Sequence, residues 1–291
     1  ADVRKVVEPV LKVTENNRIL YIDFSGDNLE LGGSSFAQTR NKVGSKTPTI
    51  RDDAYFKKAF NAVQALIKKD LILAGHDISA GGLITALLEM CFPEVNTGAL
   101  INLQVLTEKD PVKLLFAENS AVLLQTDQVK ETEEFLQKAG IRYAVIGKAV
   151  QGKALTIENP DLSFDIEIYR DLWFRTSYQL DEKQCQNNKA AERYENYKNQ
   201  PLNFKFPGHF TGKLPARTSG KRIKAAIIRE KGSNSEREMA HALYLAGFDV
   251  KDVHMTDLIS GRENLEDIQF IGAVGGFSNS DVLGSAKGWA G

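Results

Sequence analysis

Cysteine is scarce in this chain, and the two present, Cys91 and Cys185, cannot build the cross-linked framework on which small secreted folds depend. Cys91 lies in Leu87-Leu88-Glu89-Met90-Cys91-Phe92, an apolar run that predicts a packed core thiol. Together the pair points to a reducing compartment. An excess of either charge is lacking too: 37 basic residues against 38 acidic ones leave no electrostatic footprint for nucleic acid or an anionic membrane, although a small anion needs only a local cluster of donors. No apolar stretch approaches the roughly 20 residues of a membrane span. The start Ala1-Asp2-Val3-Arg4-Lys5 has neither the apolar region nor the cleavage pattern of a signal peptide. These absences predict a soluble cytoplasmic protein. The lack of an initiator methionine and the abrupt end fit a piece of a longer polypeptide.

What is present is a chain of 291 residues, long enough for two domains. Ile19-Leu20-Tyr21-Ile22-Asp23-Phe24 predicts a strand ending at Gly26, followed by a loop at Gly32-Gly33-Ser34-Ser35. Phe56, Phe60, Val63 and Ile67 recur at helical spacing over residues 55–68, predicting an amphipathic helix. Leu71 to Ala74 is expected as a short strand, and Leu83, Ile84, Leu87, Leu88 and Cys91 mark a more buried helix. A strand at 121–124, a helix at 129–139 and a strand at 143–146 closed by Gly147 complete an α/β or α+β domain with helices covering a sheet. Residues 181–200 are rich in Asn, Gln, Lys and Glu, and Pro201, Pro207 and Pro215 follow, so a connector wrapping over neighbouring surface is expected. Its aromatics Trp173, Phe174, Tyr178, Tyr194 and Tyr197 predict that parts of it dock. From Lys224 the pattern is strand (225–228), helix (233–245) with Met239, Leu243 and Ala246 on one face, a stop at Gly247, strand (248–253), a short connection at 265–267, and strand (270–274). That is the opening of a doubly wound parallel sheet, whose ligands sit beyond the carboxyl ends of its strands.

Two segments carry candidate chemistry. Phe270-Ile271-Gly272-Ala273-Val274 runs into Gly275-Gly276-Phe277-Ser278, and a glycine pair after a buried strand lets main-chain N–H groups approach a ligand or an oxyanion; the plainer reading is an ordinary turn. In Gly75-His76-Asp77-Ile78-Ser79-Ala80-Gly81-Gly82-Leu83, a strand delivers a histidine, a carboxylate and a hydroxyl to a glycine-opened helix start. Free N–H groups there suit a phosphate, Ser79 can donate to it, and Asp77 is a hard oxygen ligand for Mg²⁺. Alternatively, Asp77 or Ser79 caps the helix, and His76 is a satisfied structural histidine.

The turn at residues 75–83, the loop at 26–34, the blocks at 228–236 and 252–258, and Gly275-Gly276-Phe277-Ser278 together resemble, in order and over nearly the whole chain, the phosphoribosylformylglycinamidine synthase family of the large single-chain type. The resemblance implies an aminoimidazole-ribonucleotide-synthetase-like C-terminal domain over residues 1–157, a connector over 158–220, and over 221–291 the N-terminal part of a class I glutamine amidotransferase domain with its partial doubly wound sheet. It implies a ligase that uses ATP and glutamine to amidate formylglycinamide ribonucleotide in purine biosynthesis. It also implies an auxiliary nucleotide, ATP or ADP, held with Mg²⁺, for which Asp77 is a metal ligand and Ser79 a nucleotide contact. The remainder of the polypeptide is the implied partner.

The family's glutaminase nucleophile is a cysteine on a later elbow, so no catalytic residue is expected within this chain; Cys91 and Cys185 do not sit on such an elbow. Three places depart from the family pattern. Asn279-Ser280 stands where Tyr-Gly is usual, Ser285-Ala286-Lys287 where a glycine and an acid are common, and Phe116-Ala117-Glu118-Asn119-Ser120-Ala121 replaces the commoner Phe-x-Glu-Glu-Leu-Gly. The alternative function is a nucleotide-binding regulatory or scaffold protein that kept the fold without the reaction.

Overall fold

The computed structural model describes residues 5–199, 205–213, 220 and 222–277. Contacts divide the chain into one unit reaching to Phe206 and a second from Pro207 onward. The first contains β1 (Arg18–Asp23), α1 (Ser35–Thr39), α2 (Asp53–Lys68), β2 (Ala74–Asp77), α3 (Gly82–Cys91), β3 (Thr97–Ile101), α4 (Pro111–Phe116), β4 (Ala121–Thr126), α5 (Val129–Lys138), β5 (Ala144–Gln151), β6 (Ala154–Ile157), β7 (Leu162–Asp165), α6 (Ile166–Gln184) and α7 (Lys189–Asn196). Its strands form one seven-stranded sheet in the order β2-β4-β1-β5-β3-β6-β7. Every neighbouring pair is antiparallel except β3 and β6.

The apolar runs of the central strands follow from burial on both faces, since successive side chains of a strand point to opposite sides. Ile19 of β1 and Leu123 of β4 join a core with Leu83, Leu87 and Met90 of α3. Their neighbours Leu20, Ile22 and Leu124 pack instead with Ala59, Val63 and Leu66 of α2 and Leu136 of α5. The buried stripe of α2 is therefore Ala59, Ala62, Val63 and Leu66, and Phe60, expected on that face, is 48% exposed. The strand expected at Leu71–Ala74 lies three residues later. Asp70 adopts φ 59°, and the N–H groups of Asp70 and Leu71 return to Ile67 and Leu66, so those residues close the helix. The last predicted strand of this unit does not stop at Gly147: β5 continues through it because β3 comes so close that a Cβ there would lie 2.1 Å from the Leu100 carbonyl oxygen.

The segment expected as an aperiodic connector contains a helical hairpin. Asp165 caps α6 by accepting from Ile168 N, and the hairpin is held by aromatic pairs: Phe174 stacks on Tyr197 at 3.9 Å and Tyr178 on Tyr194 at 4.7 Å between centroids. Trp173 donates to Glu89 of α3 at 2.9 Å, and Arg170 to the Phe92 carbonyl at 3.1 Å. Among the described residues no helix is long and apolar enough to cross a membrane.

The second unit contains β8 (Lys224–Arg229), α8 (Glu236–Leu245), β9 (Asp249–His254), α9 (Met255–Ile259) and β10 (Phe270–Ala273). The three strands are parallel in the order β10-β8-β9, as the pattern predicts. Short α9 was not expected. Helix α8 begins at Glu236 rather than at 233 because Ser235 takes φ 68°, a conformation a helix cannot continue through. Met239, on its expected apolar face, is 41% exposed.

Asp171 ties the α6–α7 hairpin together: it accepts from Tyr197 Oη, and from Lys198 Nζ at 2.7 Å. Burial works to raise its carboxyl, but the hydrogen bonds of Lys198 and Tyr197 and the charges of Lys198 and Arg170 outweigh it and hold Asp171 below the ordinary carboxylate range. A native value below the unfolded one gives stability that is present above the unfolded pKa, about 3.9, and lost as pH falls through the lowered native value. Asp171→Asn should therefore melt below the wild type by a constant interval from about pH 8 to 5, with the gap closing as pH falls below about 4. Thermal melts across that range measure it, and a gap that persists in acid contradicts the assignment.

Candidate functional site

Strand β2 pairs with β4 through the register Ala74↔Gln125 to Asp77↔Val122 and delivers His76 and Asp77 to the start of α3. Ile78 then turns into the core, 7% exposed, with its N–H on the Ala121 carbonyl at 2.9 Å. That anchor leaves Asp77 and Ser79 on either side of it exposed. The chain enters α3 through two left-handed residues, Gly81 (φ 88°) and Gly82 (φ 74°). A Cβ on Gly82 would lie 2.7 Å from the Leu115 carbonyl oxygen, so only glycine lets α3 start this close to α4.

Neither Asp77 nor Ser79 caps the helix. The N-cap is Gly81, with no side-chain cap bond; the Gly82 N–H goes to the Ser79 carbonyl at 3.0 Å. The side chain of Asp77 is 73% exposed, and its neighbour is His76 Nδ1, 3.4 Å from Oδ1. The same nitrogen lies 2.7 Å from the Asp77 carbonyl oxygen, while His76 Nε2 faces Glu89 Oε2 at 3.2 Å. His76 is thus a fixed structural link between β2 and α3. No hydrogen bond is made by the Ser79 hydroxyl among the described residues.

The N–H groups at this turn are not all open. Glu118 Oε1 accepts from Gly81 N and also from Ser35 N, both at 2.8 Å, so one carboxylate joins the start of α3 to the start of α1, where Ser34 is the cap. Next to it Asn119, 1% exposed, donates to Ser25 Oγ at 3.2 Å and to the Asn28 carbonyl at 3.1 Å. The loop is pinned further along by Asp27, whose side chain is 8% exposed and pairs with Arg51 at 3.0 Å. The hydrogen bond from Arg51 holds the Asp27 carboxyl below its ordinary range, against burial and with help from the Asn28 N–H. The roles of Glu118 and Asn119 were not read from the sequence. The one signal available was that their block departs from the family pattern.

Among the described residues no group of three or more His, Cys, Asp or Glu side chains could hold a metal ion. The pair at this turn nevertheless fits a magnesium nucleotide, because Mg²⁺ is commonly held by one or two carboxylates while phosphate oxygens and water supply the rest. An open carboxylate and an unbonded hydroxyl two residues apart match that need. Cys91 is fully buried, and burial pushes its thiol up to about 12, which removes it as a nucleophile. Cys185 is exposed and ends α6.

At the carboxyl ends of the parallel strands, the loops after β8 and β10 meet. Asn234 N donates to the Gly275 carbonyl at 2.7 Å, and Ser233 and Gly276 form an isolated bridge. Gly276 takes φ 121°, and a Cβ there would lie 2.7 Å from Asn234 N. The remainder of the expected oxyanion turn from Ser278, with the Asn279-Ser280 and Ser285-Ala286-Lys287 departures, lies outside the described residues.

Glu118→Ala strips the acceptor from two helix-start N–H groups. It should lower the unfolding free energy by about 1–3 kcal/mol, and Glu118→Gln, which keeps a carbonyl acceptor, by less. Urea denaturation of both variants checks this, and equal losses would show that the carboxylate does not join the two turns.

Residues 15–158 match a family described as the AIR synthase related protein, C-terminal domain, and residues 222–291 the CobB/CobQ-like glutamine amidotransferase domain. A human protein named phosphoribosylformylglycinamidine synthase is 35% identical over 99% of this chain and 22% of its own length. The probable phosphoribosylformylglycinamidine synthase of Caenorhabditis elegans is 36% identical, over 99% of this chain and 24% of its length. The probable chloroplastic/mitochondrial enzyme of Arabidopsis thaliana is 34% identical, over 99% and 21%. The chain thus spans between a fifth and a quarter of the length of these relatives. A solved structure described as Thermotoga maritima PurL complexed with ATP aligns with 75% of this chain and 31% of its own at 16% identity and a TM-score of 0.44, a likeness too loose to bear on ligands. The two domain types thus occur in this order along the chain, and over 99% of its length the chain is similar to one part of each of these three phosphoribosylformylglycinamidine synthases.

Proposed function

We propose that this chain is part of an ATP-dependent amidotransferase ligase that converts formylglycinamide ribonucleotide and glutamine to formylglycinamidine ribonucleotide in de novo purine biosynthesis. It acts in the cytoplasm with the remainder of its own polypeptide. The observation that carries the reading is the 34–36% identity to three phosphoribosylformylglycinamidine synthases over 99% of the chain. In this assignment residues 1–157 are a synthetase-like C-terminal domain, 158–220 a connector that includes the helical hairpin, and 221–291 the N-terminal part of the glutaminase domain.

Within the first domain, Asp77 is a Mg²⁺ ligand and Ser79 a contact to the phosphates of an auxiliary ATP or ADP. The exposed carboxylate, the unbonded hydroxyl and the left-handed glycines beside them support this role. A bound magnesium nucleotide would supply charge neutralisation and structural anchorage at the turn, and the chain's own residues would hold it there.

The test is to melt the full-length wild type and Asp77→Ala across a titration of Mg-ADP. Because Asp77 does not cap α3 and is largely exposed, its loss without nucleotide should cost no more than about 0.5 kcal/mol. With nucleotide at about a hundred times its dissociation constant, the wild type should gain about 2.7 kcal/mol and the variant markedly less. Parallel shifts in both proteins refute the ligand role. The 291-residue chain alone should release no glutamate from glutamine, since Cys91 is buried and Cys185 lies at the end of α6, away from any strand-to-helix elbow; release abolished by Cys185→Ser would overturn that expectation.

A further inference from the structure

Across His76 from the Asp77 turn, between the end of α3 and the α6–α7 hairpin, lies a cavity of about 640 Å³, inside the range of about 300–1,000 Å³ usual for small-molecule sites. Its walls are mostly apolar, with the aromatic Phe92, Trp173, Phe174 and Tyr197 beside Pro9 and Pro93. Trp173 meets Phe174 edge-on at 4.8 Å and Phe92 at 6.2 Å between centroids. Its indole N–H is fixed on Glu89, yet 49% of the residue is exposed. An anchored, half-exposed indole is a preformed wall rather than a mobile surface side chain.

The polar groups of the cavity leave one buried donor unmet. Arg170, Lys198, His76 and Glu89 line it. Glu89 is committed to Trp173 Nε1 at 2.9 Å and faces His76 Nε2 at 3.2 Å, and Asp171 nearby is committed to Lys198 and Tyr197. Arg170 is 9% exposed, its Nη1 donates to the Phe92 carbonyl, and its Nε is buried with no hydrogen-bond partner among the described residues. The guanidinium is partnered by the Phe92 carbonyl, the face of the Tyr197 ring at 5.5 Å and the charge of Asp171, but the unmet buried Nε donor still carries a cost, which an anion entering the cavity would offset. We infer that this cavity binds a small planar aromatic molecule bearing one anionic group, with its ring against Trp173 and Phe92 and its charge toward Arg170 and Lys198. His76, held between Glu89 and the Asp77 carbonyl, connects the cavity to the turn, but the inference does not depend on Asp77 holding a metal.

The probes are benzoate and phenyl phosphate, which separate a carboxylate from a phosphate preference, with inorganic phosphate and benzyl alcohol as half-ligands. Each is titrated calorimetrically into the 291-residue chain. At least one probe should bind with a dissociation constant of about 1 mM or tighter, and both half-ligands at least about tenfold more weakly. Trp173→Ala, Lys198→Ala and Arg170→Gln should each weaken the probe by about tenfold, with thermal melts confirming that each variant is folded, since Lys198 also holds Asp171 of the hairpin. If Arg170→Gln does not fold, the other two variants decide. Absence of saturable heat from both aromatic probes overturns the inference, as does binding of inorganic phosphate as tight as the aromatic anions, or affinity unchanged in Trp173→Ala and Lys198→Ala.

Discussion

The geometry of the candidate turn depends on one carboxylate. Glu118 accepts from the first N–H of α1 and from the N-cap residue of α3 with the same oxygen, so two helix starts that are far apart in sequence share a single anion of the protein's own. Helix starts favour negative charge because their unpaired N–H groups and aligned peptide dipoles point outward. Spending that preference internally fixes the turn in advance. In the proposed role, a phosphate would find the innermost donor already taken, so recognition would fall to the exposed Ser79 and, through Mg²⁺, to Asp77.

This explains why capping, the plainer reading of those two residues, is not how the helix starts. A capping Asp or Ser needs its side chain folded back on the N–H groups two or three residues ahead. Gly81 and Gly82 prevent this by taking left-handed conformations in between, and Glu118 supplies the acceptor from another strand connection. Ile78, buried between the two, commits the backbone inward and leaves its neighbours outside. Local pattern singled out Asp77 and Ser79; the start of α3, with Gly81 as its N-cap and Glu118 on the Gly81 N–H, leaves neither of them as its cap.

The same division runs through the fold. Strands β1 and β4 and helices α3 and α5 were legible because aliphatic side chains at period two or near four have one physical use, burial against a sheet. The hairpin of α6 and α7 was not, because its contacts are aromatic stacks between Phe174 and Tyr197 and between Tyr178 and Tyr194. Stacking pairs leave most of each helix polar, so composition reads as linker. The short β6–β7 pair, Ala154–Ile157 with Leu162–Asp165, carries too few residues to show a period. At α2 the period was right and the face only turned: Val63 lies in the core and Phe56 and Ile67 pack at its margin, while the small Ala59 and Ala62 occupy the centre and Phe60 stays outside.

In the parallel unit the balance is reversed, and the sheet was legible while its site was only partly so. Central β8 buries Ala225, Ala226 and Ile227 completely, a run that reads as a strand covered on both faces. The ends of β8 and β10 are then brought together by main-chain atoms alone, through Asn234 N on Gly275 O and the Ser233–Gly276 bridge. Side-chain pattern cannot announce such a contact; only the glycines do. Gly276 combines φ 121° with a Cβ direction blocked by Asn234 and Gly232, so any larger residue would have to break the bond that joins the two loops. Gly276 is thus required by the meeting of the loops whether or not a ligand is present, whereas a Cβ at Gly275 would meet no described atom within 4 Å, and a binding role at this turn would use a backbone shape that the fold already enforces at Gly276.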